Sequence, residues 1–505
     1  MNKFWIVGFL LCWVNLSTNA QEYILYKAQD IEFPNISADS ALKIIEKKTG
    51  LHFTYNSDLL KTSSKFNAVF KNTPLSIILD SIFGNATLNY QVIESQIVVY
   101  EQTQIRQNNV PKDIPTKTPF VFGGEIRDKE TNESLPFACI SILNTSTGTI
   151  SNEEGLFSMH LPYINENDSL IISYLGYHAL KMAMHDLSKY DIYLIESRSI
   201  PLQEVIIRGL HPENLIRLAI DNKKKNYPDK PFVQRAFYRE SIKRDNEFKL
   251  YAEGILDILK RPYRPTLFSD QVVLIKQRSF KSIESEDTVQ FKLHAGIQTS
   301  LDLDVVKNSF SFIDLEFIKD YTYHMRDILL NDNKMAYKIE FKPRNVNDPY
   351  AYEGCIYLDV ETLAFVKLEF SYTKVALNNM RNSFVVRSSP QLIIIPTETK
   401  YSVSYKKFDD RYYIHHIQGE LFIKVKKKRK FLTSRFSASF EMVATELNQE
   451  APRRFPSEMT LNTHQVFSDR YTNYDLSYWS NENTLIPEQD LMKAIENLSQ
   501  ENKQH

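Results

Sequence analysis

Residues 33–55 and 70–92 repeat one another at a constant offset of 37, and this duplication constrains the start of the 505-residue chain more than any other feature. Phe33-Pro34-Asn35 aligns with Phe70-Lys71-Asn72. Ala38, Leu42 and Ile45 align with Leu75, Leu79 and Ile82, and Leu51, Phe53 and Tyr55 with Leu88, Tyr90 and Val92. Each copy reads strand, helix, strand. Ser37 is placed to cap the first helix and Gly50 to end it with a positive φ. In the second copy Thr73 caps, Pro74 takes the first helical position and Gly84 ends the helix. Leu75, Ile78, Leu79 and Ile82 share one helical face. A single βαβ copy cannot bury its own faces, so the two copies are expected to form one small α+β domain over residues 21–101.

Ahead of the repeat, Lys3, the eleven residues Phe4–Val14 and the small Ala20 have the form of a secretory signal peptide over residues 1–20, cleaved after Ala20. Such a run is about half of the ~20 residues a membrane helix needs. Cys12 lacks the small residues that precede a lipoprotein cysteine. Lys+Arg 61 against Asp+Glu 62 gives a net charge of −1, which argues against a nucleic-acid partner. Cys139 and Cys355 lie in different expected domains. They could pair in an oxidising compartment, but two buried thiols are the expected state. No Cys/His spacing suits zinc.

With Ser40-Ala41-Leu42, Thr49-Gly50-Leu51, Pro74-Leu75 and Gln96-Ile97-Val98-Val99-Tyr100 in place, residues 22–101 resemble the secretin and TonB short N-terminal domain. That resemblance implies a periplasmic module that works by protein–protein contact. Residues 102–118, with Pro111 and Pro115, read as a linker.

From residue 119 to 208 short strands alternate with turns, the pattern of a small β-sandwich. Gly124-Glu125-Ile126-Arg127-Asp128, Leu135-Pro136-Phe137-Ala138, Gly148-Thr149, Gly155-Leu156-Phe157 and Ser173-Tyr174-Leu175-Gly176-Tyr177 carry a resemblance to the carboxypeptidase-regulatory-like domain. The resemblance implies a transthyretin-like sandwich, often found ahead of SusC-type outer-membrane receptors in Bacteroidetes-like bacteria, without peptidase chemistry. Phe137 stands where that family usually has glycine, and no positive φ is expected to be needed there.

Residues 209–505 read as one amphipathic helix over 213–225 followed by a mostly antiparallel β region of no assigned family. Tyr337, Ile339 and Phe341 alternate with Lys338, Glu340 and Lys342; Val366, Leu368 and Phe370, then Leu421, Ile423 and Val425, and Phe436, Ala438 and Phe440 continue the pattern. A short helix is expected over 488–498. Charge alternation and too few residues argue against a complete receptor barrel. Gly354–Asp359 and Ala364–Glu369 look a little like the curved sheets of periplasmic lipoprotein carriers.

No catalytic, cofactor-binding or metal-binding residues are assigned. Gly-x-Ser-x-Gly, His-Glu-x-x-His and phosphate-loop patterns are missing from the sequence. Lys424–Lys430 is expected to be a solvated hairpin. His415 and His416, neighbours on one strand, are expected to face opposite ways and so not to share a metal.

The expected fold class is therefore multidomain: a duplicated βαβ α+β domain, a transthyretin-like sandwich and a β-rich C-terminal region. The expected function is that of a non-enzymatic exported protein, periplasmic or on the periplasmic face of the outer membrane, which needs no cofactor. It would dock to envelope proteins of TonB-dependent or SusC-type uptake or signalling systems. Two alternatives are a periplasmic lipid or lipoprotein carrier with a half-barrel C-terminal domain, and a hydrolase of unknown class.

Overall fold

The computed structural model describes residues 28–54, 66–83, 88–93, 96–101, 120–161, 167–187, 190–200, 211–281, 296–331, 334–384, 392–427, 433–469 and 483–493. The expected signal peptide, the linker 102–118 and the end of the lysine run lie outside the described residues. The protein is multi-sheet and mostly β with a small helical content. It divides into two units, residues 1–115 with 454–460, and residues 116–453 with 461–505.

In the first unit both copies of the repeat run strand, helix, strand: β1 (Ala28–Ile36), α1 (Ala38–Thr49) and β2 (His52–Thr54), then β3 (Phe66–Pro74), α2 (Leu75–Phe83) and β4 (Leu88–Ile93). A final strand, β5 (Gln96–Glu101), lies between β2 and β4. β1 pairs antiparallel with its repeat mate β3. Ser37 Oγ accepts the Ser40 N–H at 3.3 Å, and Gly50, at φ +73°, donates to the Glu46 carbonyl at 2.9 Å. Ala38, Leu42, Ile45, Leu75 and Leu79 all enter one core with Phe33 and Ile97. The second helix starts differently from expectation. Thr73 still pairs with Gln29, and its hydroxyl donates to the Lys71 carbonyl. Pairing with β1 thus keeps Thr73 and Pro74 in the strand.

The second unit begins with a sandwich of β6 (Phe120–Asp128), β7 (Cys139–Ile142), β8 (Gly148–Ile150), β9 (Leu156–Leu161), β10 (Ser169–Ser173), β11 (Leu180–Ala183) and β12 (Tyr190–Ile195). Its sheets run β12-β6-β9 and β11-β10-β7-β8. Phe122, Ile140, Phe157, Met159, Leu170 and Ile172 fill the space between them. Gly155 turns at φ +77°, while Asn152 Oδ1 accepts the N–H groups of Glu154 and Leu156 around it.

A second, much larger sheet follows. Its strands are β13 (Ser199–Ile200), β14 (Phe232–Arg244), β15 (Glu247–Lys260), β16 (Gln271–Lys281), β17 (Tyr321–Asn331), β18 (Lys334–Pro343), β19 (Tyr352–Asp359), β20 (Phe365–Tyr372), β21 (Leu392–Phe408), β22 (Arg411–Lys427) and β23 (Thr433–Asn448). The order is β13-β17-β18-β19-β20-β21-β22-β23-β14-β15-β16, antiparallel throughout. A meander runs from β17 to β23, and the earlier hairpins join its far side.

Short helices cover one face of this sheet: α3 (Pro212–Asp221), α4 (Lys223–Asn226), α5 (Gly296–Asp302) and α6 (Val305–Asn308). Phe312 lies under them, stacked on Phe341 at 4.3 Å between ring centroids and packed on Tyr352 and Phe370. The single helix expected over 213–225 is two, parted at Asn222, and Arg411 ties the end of the second to β22 through the Lys224 and Tyr227 carbonyls at 2.7 and 3.2 Å. The sandwich lies on the opposite face. Ser404 pairs with His416, which meets Phe137 of the sandwich, whereas Tyr405, one residue on, meets Val306 and Asp304 of the helical layer.

Candidate functional site

β22 carries a bulge at His415. His416 lies opposite Ser404 and Ile414 opposite Tyr405, which leaves His415 as the extra residue. The bulge overturns the expectation that the two histidines face apart. Both line one cavity of about 100 Å³ at the seam between sandwich and large sheet, with Phe137, Cys139, Tyr174 and Lys406.

Each wall supplies something different. His415 Nε2 is 3.3 Å from Cys139 Sγ, and Lys406 Nζ donates to the same sulfur at 3.0 Å. Buried His416 meets Glu441 Oε1 through Nε2 at 2.7 Å. Phe137 stacks on the His416 ring at 5.4 Å and 28°. Its φ is +60°, so the position that the family fills with glycine does demand a left-handed backbone. The sequence expectation for Phe137 is corrected here: the ring's contact with His416 holds a conformation that the side chain itself disfavours. Further bonds fix the seam, from Ser146 to the Leu447 carbonyl at 3.0 Å and from the Gly176 N–H to the Leu330 carbonyl at 2.7 Å.

Cys139 and Cys355 are free thiols, half-buried rather than buried as expected. Cys355 lies between Glu340 and Glu369 on the neighbouring strands. Burial pushes its thiol up, and the two carboxylates add to that against Lys338.

Two buried ionic clusters flank the sheet. On the helical face Lys260 Nζ sits 3.0 Å from Asp270 and 2.7 Å from Asp304, and Asp304 also accepts the hydroxyls of Tyr263 and Tyr405 at 2.9 Å each. Burial opposes the charge on Lys260, but the two aspartates outweigh it and raise its pKa. Burial likewise pushes the Asp270 carboxyl up, and Lys260 with Lys307 overcomes it and holds the group at about 2. On the other face Arg239 reaches Glu253, Glu488 and the Leu485 carbonyl, tying the segment 483–491 to the sheet. The helix there covers 489–493 of the expected 488–498, the remainder lying outside the described residues.

Lys424 and Lys426 are exposed on β22, with Val425 buried between them. No group of three or more His, Cys, Asp or Glu side chains among the described residues is arranged to hold a metal ion. No helix among them is long and apolar enough to cross a membrane. Sequence reasoning missed Lys406 and the role of Phe137, because the partners lie 267 and more residues apart and no short motif joins them.

Residues 122–207 match the family model of the CarboxypepD_reg-like domain. No curated protein matches the chain. Among solved structures it is similar to a domain assigned to outer membrane lipoprotein sorting from Vibrio parahaemolyticus (12% identity, TM-score 0.23, covering 48% of this chain and 95% of that one). A LolA superfamily protein from Nitrosomonas europaea (10%, TM-score 0.19, 51% and 100%) and a DUF1329 family protein from Desulfovibrio piger (13%, TM-score 0.21, 48% and 96%) are similar at the same low level.

Proposed function

We propose that this chain is a non-enzymatic exported protein of the bacterial envelope, working by docking to outer-membrane or periplasmic proteins of TonB-dependent or SusC-type systems. The carboxypeptidase-regulatory-like sandwich supports that setting. The observation that carries the reading is the outer edge of that sandwich. Among the described residues β12 has a neighbour on one side only, β6, and it shows Tyr190, Ile192 and Leu194 to solvent at 59, 52 and 47% exposure. An alternating apolar strand at a sheet edge is suited to receive a partner's strand. Residues 21–101, in the role of a secretin and TonB short N-terminal module, supply a second docking surface. The leader, cleaved after Ala20, delivers the chain to the periplasm.

The test is in-cell photo-crosslinking of the full chain with the reactive group at Ile192. A discrete envelope protein should be captured, and Tyr190→Asp with Leu194→Asp should abolish the capture. An undifferentiated background at Ile192 would reject the reading.

The second reading is a lipid or lipoprotein carrier. An antiparallel sheet, eleven strands among the described residues, with short helices on one apolar face favours it. Phe312, Phe341 and Phe370 fill the space beneath those helices, so a lipid would have to displace them. Native mass spectrometry of the protein from its own envelope decides, with bound lipid supporting this reading and a clean apo mass opposing it.

A further inference from the structure

Cys139 and Cys355 are equally half-buried but differ in what surrounds the sulfur. Cys139 lines the seam cavity, whereas Cys355 is set between two carboxylates in the sheet. An ammonium at 3.0 Å and an imidazole nitrogen at 3.3 Å both converge on its sulfur, and both come from the large sheet rather than from the sandwich that carries the cysteine. This combination has chemical content, since the ammonium stands where sulfur exchange gathers negative charge in its transition state and the adjacent imidazole can carry the proton. The local geometry is also costly to maintain. His415 reaches the sulfur only through the bulge, and Phe137, two residues before Cys139, is held at φ +60° against His416.

We propose that Cys139 is a thiol-exchange site for small organic disulfides, with His415 as its proton carrier and Lys406 as its charge partner. Cys139 Sγ gives up its proton to His415 and attacks one sulfur of the incoming disulfide. A new Sγ–S bond forms as the old S–S bond breaks, and the electron pair leaves on the departing sulfur. That sulfur takes the proton back from His415, so one disulfide and one thiol yield a mixed disulfide and a new thiol. Lys406 offsets the negative charge shared along the three sulfurs. Exchange at sulfur needs no donors for a tetrahedral oxyanion, as acyl transfer would. The cavity, at about 100 Å³, admits a short arm and excludes a folded protein. The proposal is independent of the docking reading.

The test uses the full chain and 2-hydroxyethyl disulfide, with the rate at each cysteine read by peptide mass mapping. In the wild-type protein Cys139 should be modified at least about ten-fold faster than Cys355. Lys406→Gln and His415→Gln should each slow Cys139, while Lys406→Arg restores the rate, which a merely structural lysine would not require. Cys355 reports folding, because a variant that opens the sheet speeds its modification. The wild-type ratio stands whatever the variants do. Cys139 reacting no faster than Cys355, or keeping its rate in folded Lys406→Gln and His415→Gln proteins, overturns the proposal.

Discussion

The Tyr177 hydroxyl donates to Asp128 Oδ2 at 2.7 Å, joining the last residues of two motif segments that lie 49 positions apart. The other carboxylate oxygen of Asp128 accepts the N–H groups of Glu130 and Thr131 at 2.7 and 2.8 Å. The Thr131 N–H first, and Tyr177 next, hold this carboxyl below its ordinary value. The motif in the sandwich thus encodes a clasp between the end of β6 and the turn after β10.

Replacing Tyr177 by Phe removes the side-chain donor and leaves the turn bonds. The clasp is stabilising while Asp128 is ionised, so the variant should melt a few degrees below the wild type at neutral pH. That gap should close as pH falls through the depressed carboxyl pKa, because a protonated Asp128 has lost the same advantage in both proteins. Thermal melts followed by circular dichroism across the acid range measure it. An unchanged melting temperature at neutral pH would show that Tyr177 contributes packing alone.

Phe312 is fully buried against Phe341, Tyr352 and Phe370. Phe312→Ala should cost about 3–5 kcal/mol, because it removes a large ring from a layer held between helices and sheet that can collapse only in part. The urea midpoint of the full chain gives the value. A loss below about 1 kcal/mol would mean that the helical layer resettles into the space.

Much of this layering was written in local patterns. Ala38, Leu42 and Ile45 sit at helical spacing and are buried; Ile339, Phe341, Val366, Leu368, Ile423 and Phe436 sit at strand spacing and are buried too. Periodicity reports which face of an element meets a core. It carries no information on which strand is whose neighbour, so nothing before the fold places β14 beside β23. The candidate site was illegible for the same reason. Cys139, Lys406 and His415 meet only because β8 and its sheet lie over β21–β23, and the bulge that turns His415 toward sulfur breaks the very alternation on which strand reasoning rests.

The Lys260 cluster predicts a stability that depends on acid. Asp270 titrates at about 2 in the fold, against an ordinary aspartate near 3.9 in the unfolded chain. Its contribution, roughly 2 kcal/mol, is therefore present above about pH 4 and lost as pH falls toward 2. Lys260 has the opposite sense: its raised pKa contributes below the ordinary lysine value and fades only at strongly alkaline pH. Asp270→Asn should flatten the acid limb of the urea midpoint plotted against pH. Lys260→Met should cost more, about 3–5 kcal/mol, since it leaves Asp270 and Asp304 buried without their shared cation. A wild-type midpoint that is flat between pH 4 and 2 would contradict the assignment.

Phe137 separates backbone strain from side-chain contact. A left-handed φ of +60° costs a residue with a Cβ about 1–2 kcal/mol, and glycine escapes that cost. Phe137→Ala and Phe137→Gly both lose the ring over His416, so both should be less stable than the wild type. They differ in Cβ alone, so the glycine variant should be more stable than the alanine variant by about 1–2 kcal/mol, in the reverse of the order expected at an ordinary strand position. Paired denaturation of the two variants measures that difference directly. If alanine proved the more stable, the backbone at 137 would be relaxed in solution. The ring contact with His416, not a demand of the turn, would then be the whole reason for phenylalanine there.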